Sequence, residues 1–153
     1  MEFHKDSLDF NKTLAPWIGS TCKMMNFYIS DVFKKNKIQV TKEQFIVLKI
    51  LHEDKDGIIQ NELAFITNRN KASLTRLINV MEKNHLVARI PSKKDSRKNL
   101  IYITKTGKQL FLKMKPIMLK CIETFQNGIT ENEKELFINI MTKIQTNLKN
   151  NTL

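Results

Sequence analysis

Apolar residues recur at three- and four-residue steps between Thr13 and Lys35. Leu14, Ile18, Cys22, Met25, Ile29, Val32 and Phe33 share one face, which predicts a first helix. Pro16 falls in its opening turn, where a missing N–H does no harm. Thr41-Lys-Glu-Gln44 is a capping-box pattern, and it opens a second helix with Phe45, Leu48 and Leu51 on the buried side and Ile46 and Val47 beside them. Glu53-Asp-Lys-Asp-Gly57 ends that helix in a polar loop. Two short amphipathic stretches follow. Asn61 to Thr67 carries Leu63, Ala64 and Ile66; Asn70 to Asn84 carries Leu74, Leu77, Ile78 and Met81, with Leu86 just past its end. Only Thr67-Asn-Arg-Asn70 separates them, so the pair reads as a helix-turn-helix.

The period then changes. Leu86-Val-Ala-Arg-Ile90 and Leu100-Ile-Tyr-Ile-Thr104 are strand-like, and the polar Pro91 to Lys98 stretch between them predicts a β-hairpin with a basic tip. A fifth helix starts after Thr104 and runs to about Phe125, with Gly107 near its start and Pro116 inside it predicting a kink or an early break. Thr130-Glu-Asn-Glu133 is a second capping box. It opens a last helix with Leu136, Ile140, Ile144 and Leu148 at four-residue steps and Phe137 and Met141 alongside. The sum is a single domain over 1–153, mainly α with a small β-hairpin wing. Its winged helix-turn-helix part spans about 40–105, and flanking helices span about 8–36 and 106–150.

Charge narrows the partner. The net charge is +11 and the sequence pI about 9.7, which favours a polyanion, either nucleic acid or an acidic membrane surface. Between Gln60 and Lys108 stand eleven bases against three acids, so this third of the chain carries most of the excess. No run approaches the roughly 18 apolar residues of a membrane span; the densest, Phe45 to Leu51, is interrupted by Lys49. The opening Met-Glu-Phe-His-Lys-Asp carries acids and no apolar centre, unlike a signal peptide. Two cysteines, Cys22 and Cys121, are too few for a disulfide framework, and a cytoplasmic protein is expected.

The charge coincides with a turn, a helix and a hairpin in the order that DNA recognition uses. The residues expected to touch double-stranded DNA are Asn68 and Asn70 in the turn, Lys71, Ser73, Thr75 and Arg76 on the second helix of the motif, and Lys93, Lys94, Asp95, Arg97 and Lys98 at the hairpin tip. Lys71 and Arg76 can donate to guanine or phosphate, and Ser73 and Thr75 suit phosphate oxygens. Arg97 suits a narrow minor groove, with Asp95 placed to hold its guanidinium. The plainer alternatives are a solvated helix face and a hairpin whose charges merely block edge pairing.

The stretch from Val40 to Leu110 resembles the MarR family of bacterial transcriptional regulators. Thr41-x-x-Gln44-Phe45-x-Val47-Leu48 matches the family's second helix, and Thr75-Arg76-Leu77-Ile78-x-x-Met81-Glu82-Lys83 with Leu86-Val87 matches its recognition helix and the start of the wing. Asp95-x-Arg97 and Ile103-Thr104-x-x-Gly107 match its wing signature. There are departures: Ser96-Arg97 stands where two arginines are frequent, and His85 stands where glycine commonly ends the recognition helix. The resemblance implies that the flanking helices are dimerisation helices, and that a homodimer binds a pseudo-palindrome, most often as a repressor released by a small effector. It also implies an effector pocket between the first and fifth helices and the winged helix; Trp17, Met24, Met25 and Tyr28 are the candidates, with Met114 and Met118 beside them on the fifth helix, and an apolar or aromatic molecule is the ligand; plain packing is the competing account.

Two further functions compete: a winged-helix protein-interaction module, and a cysteine-based redox-sensing regulator built on Cys22. Cys22 falls on the apolar face, so a buried, inert thiol is expected. His52 with Glu53, Asp54 and Asp56 is thin evidence for a metal, and none is expected. No phosphate loop, nucleophile elbow or paired catalytic carboxylates occur, so neither a cofactor nor a catalytic residue is expected.

Overall fold

The computed structural model describes residues 9–151. The opening hexapeptide and residue 8, where the first flanking segment was expected to begin, lie outside the described residues. A short 3-10 turn, Phe10–Lys12, precedes α1 (Leu14–Lys35). Then come α2 (Lys42–Lys49), β1 (Ile58–Ile59), α3 (Gln60–Ile66), α4 (Lys71–Lys83), β2 (Val87–Pro91), β3 (Asn99–Ile103), α5 (Lys105–Gln126) and α6 (Glu131–Asn151). The chain divides into two compact units, Met1–Leu119 and Lys120–Leu153.

Local chemistry accounts for the element boundaries. Thr41 and Gln44 close both halves of a capping box on α2, with Gln44 N–H donating to Thr41 Oγ1 at 3.2 Å and Thr41 N–H to Gln44 Oε1 at 3.0 Å. Three helices end on non-glycine residues in the left-handed region: Lys37 (φ 55°), Asn68 (φ 51°) and His85 (φ 58°). Each is followed by an N–H that reaches back five residues, Ile38 to Phe33, Arg69 to Ala64 and Leu86 to Met81, all at 2.9 Å. These are Schellman closures, which satisfy carbonyls the helix leaves over.

The core of the first unit sits where the helix-turn-helix meets the sheet. Val47, Leu48, Ile58, Leu63, Leu74, Ile78, Met81 and Ile101 are fully buried, and each large side chain among them stabilises the fold by roughly 1.5–3 kcal/mol. Phe111 brings the first half of α5 into this packing. Its ring lies 5.5 Å from that of Phe45 and 4.7 Å from that of His52. Lys115 Nζ donates to Glu53 Oε1 at 2.6 Å. That bond, with Lys49 at 3.5 Å, holds the Glu53 carboxyl below its ordinary range.

Several expectations need correction. The polar loop after α2 is more ordered than expected: a π-turn covers Ile50–Asp54, closed by Lys55 N–H to Ile50 O at 2.9 Å. β1 then adds a third strand, giving an antiparallel sheet of order β1-β3-β2. Two residues are too few to show a strand period, and the strand is fixed from a distance: Asp56 Oδ1 accepts from Ile103 N at 2.8 Å. Gly107 does not disturb α5. A Cβ there would lie 2.2 Å from the Leu86 carbonyl oxygen, so the glycine permits a close crossing of α5 over the start of β2. Nor does Pro116 break the helix, which continues to Gln126. Pro116 and Leu112 are both exposed, so the Leu112 carbonyl that loses its N–H partner faces the solvent side.

Cys22 is exposed rather than buried. The apolar face of α1 enters the core only at its C-terminal end, through Ile29 and Phe33. Towards the N-terminus Leu14, Trp17, Met24 and Phe27 are more than half exposed. In the second unit α6 has no buried residue, and Leu136, Phe137, Ile138 and Leu148 are each about 60% exposed. Its start is capped as expected: Thr130 N–H and Oγ1–H both donate to Glu133 Oε2, and these bonds hold the Glu133 carboxyl below its ordinary range. Cys121 is buried, which pushes its thiol up.

Candidate nucleic-acid interface

The tight turn between α3 and α4 is made by two of the asparagines singled out above. Asn68 takes the left-handed position that ends α3, and Asn70 Oδ1 accepts from Ser73 N at 2.8 Å as the N-cap of α4. The buried residues of α4, Leu74, Ile78 and Met81, anchor it by one side. Lys71, Ala72, Arg76, Asn79, Val80 and Lys83 are exposed on the other. Lys71 and Arg76 thus stand in solvent, as a groove-reading helix requires.

Ser73 and Thr75 are more committed than their sequence positions suggested. Ser73 Oγ accepts from Arg69 Nη1 at 2.9 Å. Thr75 Oγ1 donates to Lys71 O at 2.8 Å and accepts from Gln60 Nε2 at 3.0 Å, so its only proton is already placed. Both residues are half-buried.

The hairpin tip is closed by Ser92 N–H to Lys98 O at 2.8 Å and Lys98 N–H to Asp95 O at 2.9 Å. Asp95 organises it: Oδ1 accepts from Arg97 N at 3.1 Å and lies 3.5 Å from Arg97 Nε, while Oδ2 lies 3.8 Å from Lys98 Nζ. The Arg97 side chain is 93% exposed, and Lys93, Lys94 and Lys98 are exposed around it. The tip therefore presents four cations with one carboxylate steering the arginine.

Four polar residues at this surface escaped the sequence reading: Gln60, Arg69, Asn79 and Arg89. Arg89 Nη2 donates to Asn79 Oδ1 at 2.7 Å, a link between β2 and α4. Strand parity was the available signal for Arg89. It stands two residues from buried Val87 and opposite buried Ile101, so it points inward and needs a polar partner.

The effector candidates are not enclosed. Met24 and Tyr28 line a shallow groove on α1 together with Lys23, Phe27 and Asp31. Trp17 and Met25 are not part of it. Trp17 is exposed, with Nε1–H bonded to Asn11 O at 2.9 Å, and Met25 is half-buried. A larger cleft of about 620 Å3 lies between the end of α1 and the start of α2, with Phe33, Ile38, Lys34 and Lys42 among its walls, and it includes none of the four. No described helix is long and apolar enough to cross a membrane.

With this geometry in hand the chain can be set beside known proteins. The profile of the family described as Transcriptional regulator SarA/Rot matches residues 31–114. The transcriptional regulator HosA of Escherichia coli O157:H7 is 30% identical over 105 residues, 69% of this chain and 77% of HosA. Among solved structures, the Staphylococcus aureus MepR–DNA complex superposes with a TM-score of 0.80 at 22% identity, covering 89% of this chain and 98% of MepR. A putative MarR-family regulator from Listeria monocytogenes, solved with a 26mer DNA, gives 0.75 at 25% identity, covering 90% of this chain and 89% of the other.

Proposed function

The chain belongs to the SarA/Rot family of transcriptional regulators, whose winged-helix fold it shares with MarR-family proteins, and from that premise we propose that it is a homodimeric repressor that reads a pseudo-palindromic operator in the cytoplasm. It is a regulator of transcription and not an enzyme. The observation that carries the reading is the pairing of an exposed basic side of α4, with Lys71 and Arg76, and an exposed cationic wing tip around Arg97. The helix fits a major groove and the arginine fits the adjacent minor groove. The apolar residues left exposed along α1 and α6 support a second copy of the chain as partner. Two copies about a two-fold axis would address half-sites about 10 base pairs apart, centre to centre.

Release by a small apolar or aromatic effector completes the proposal. Its support is the exposure of Trp17, Met24 and Tyr28 along α1. The test of the whole is duplex binding across a salt series. Affinity should fall steeply with salt, as phosphate neutralisation demands. Salt-independent or absent binding to every duplex would favour the interaction-module alternative. The exposure of Cys22 favours keeping the redox-sensing alternative in the experiment. Unchanged affinity after peroxide treatment removes it.

A further inference from the structure

Asn79 lies on the outward side of α4, three residues beyond Arg76 and seven beyond Ala72, all three exposed. A free asparagine reads adenine with both ends of its amide, accepting from N6 and donating to N7. Here the accepting end is turned to the sheet, because Arg89 Nη2 donates to Asn79 Oδ1 at 2.7 Å. A guanidinium has no acceptor, so the amide can meet it only through the oxygen. Arg89 itself is held at the α4 side of the sheet, opposite Ile101, with its Nε buried and without a partner. One turn earlier Gln60 grips Thr75 in the same way, at 3.0 Å. The polar edge of α4 is thus fixed at two positions four residues apart, Thr75 from the start of α3 and Asn79 from β2, and the Nδ2 donors of Asn79 are what remains for a ligand.

We propose that Asn79 is a specificity-determining residue that reads an acceptor on a base edge, and that Arg89 is the positioning residue that makes it a donor-only reader. Guanine, with O6 and N7 side by side in the major groove, is the base that fits. This rests on the reading that α4 enters the major groove.

The test is selection of duplexes from a randomised library by the full chain, as wild type, Asn79→Asp, Arg89→Met and Arg89→Lys, each checked for a cooperative melt. Wild type should select guanine at one position of each half-site. Asn79→Asp keeps an oxygen on Arg89 and turns a second acceptor outward, so that position should shift to cytosine, whose N4 donates. Arg89→Met frees the carbonyl and should shift it to adenine. Arg89→Lys keeps a donor and should leave guanine in place. Each shift should change the preference at that position about tenfold and leave the others as they were. Motifs identical to wild type in both Asn79→Asp and Arg89→Met would overturn the inference, as would a loss of preference spread over all positions. If Arg89→Met fails to fold, Asn79→Asp alone decides, because it leaves Arg89 partnered. A wild-type protein that selects no motif overturns the DNA-reading premise itself, a result distinct from an unchanged motif.

Discussion

Two parts of the chain meet water on different terms. From α2 through β3 most large apolar side chains are inside: Leu48, Leu63, Leu74, Ile78 and Ile101 are fully buried, and the exceptions, chiefly Phe65 with Ile66, Val80 and Ile90, are scattered over separate elements. Along the N-terminal part of α1 and the whole of α6 the pattern of apolar residues is equally regular, yet Leu14, Trp17, Phe27, Leu136, Phe137 and Leu148 stay more than half exposed. A helical hydrophobic stripe announces that a face will be covered; it does not say by which chain. The winged helix closes most of its apolar surface on itself, whereas the described residues leave the stripes of α1 and α6 largely open.

The sharpest way to break this contrast is at α6. Ile140→Lys with Ile144→Lys should dissociate the proposed dimer and bring operator affinity towards the non-specific level, a fall on the order of 10³-fold, while the added charge preserves weak binding to any duplex. Sedimentation of the wild type as a monomer at micromolar concentration, with tight operator binding intact, would undo the dimer reading. Next in size is Gly107→Ala. Its Cβ would meet a backbone carbonyl that cannot step aside, so the winged helix should lose about 3 kcal/mol, measured by urea unfolding. A loss under 0.5 kcal/mol would mean that the crossing of α5 over β2 yields easily.

Arg97→Ala should leave the melting temperature unchanged, because the side chain is almost wholly exposed, and weaken operator binding by about 1–3 kcal/mol in gel shifts. Lys93→Ala, by contrast, should weaken all duplexes alike and lower the salt slope by about one. His85→Gly should raise stability by about 0.5–1 kcal/mol, since it relieves a left-handed backbone at φ 58° but frees the unfolded chain. Equal or lower stability would show that the histidine side chain repays the strain.

The smallest effect is with pH. Glu53 and Glu133 both have carboxyls held below the ordinary value of 4.5, one by Lys115 and Lys49, the other by the Thr130 cap. Their contributions are present above that value and are lost as pH falls through the lowered ones. Urea midpoints measured from pH 6 down to pH 3 should therefore fall less steeply in Glu133→Gln and in Glu53→Gln than in the wild type.

Much of the winged helix was legible because each of its signals is local. The capping boxes at Thr41 and Thr130, the four-residue turn at Thr67 to Asn70 and the change of period at Leu86 each need only neighbours in sequence. What was missed depends on distant partners. β1 is held by Asp56, 47 positions from the Ile103 amide it binds. Gly107 has its meaning only beside Leu86, and Asn79 has a fixed amide only because Arg89 crosses to it from β2. The exposure of Cys22 was hidden for the converse reason: its apolar spacing was real, but none of the described residues of the first unit covers that end of α1.

The wing has its own grading, visible in the sheet. β3 is the central strand, paired to β1 at Ile101 and Leu100 and to β2 from Ile103 out to Asn99, while beyond Pro91 and Asn99 only the turn bonds around Asp95 continue. In a hydrogen-exchange measurement the Ile101 and Ile103 amides should fall in the slow class that opens with the whole domain, and the 92–98 amides in the fast class that opens locally. The tip is then free to change its angle in a local event, on a timescale set by a few turn bonds, while the base of the sheet keeps the register that holds Arg89 against α4.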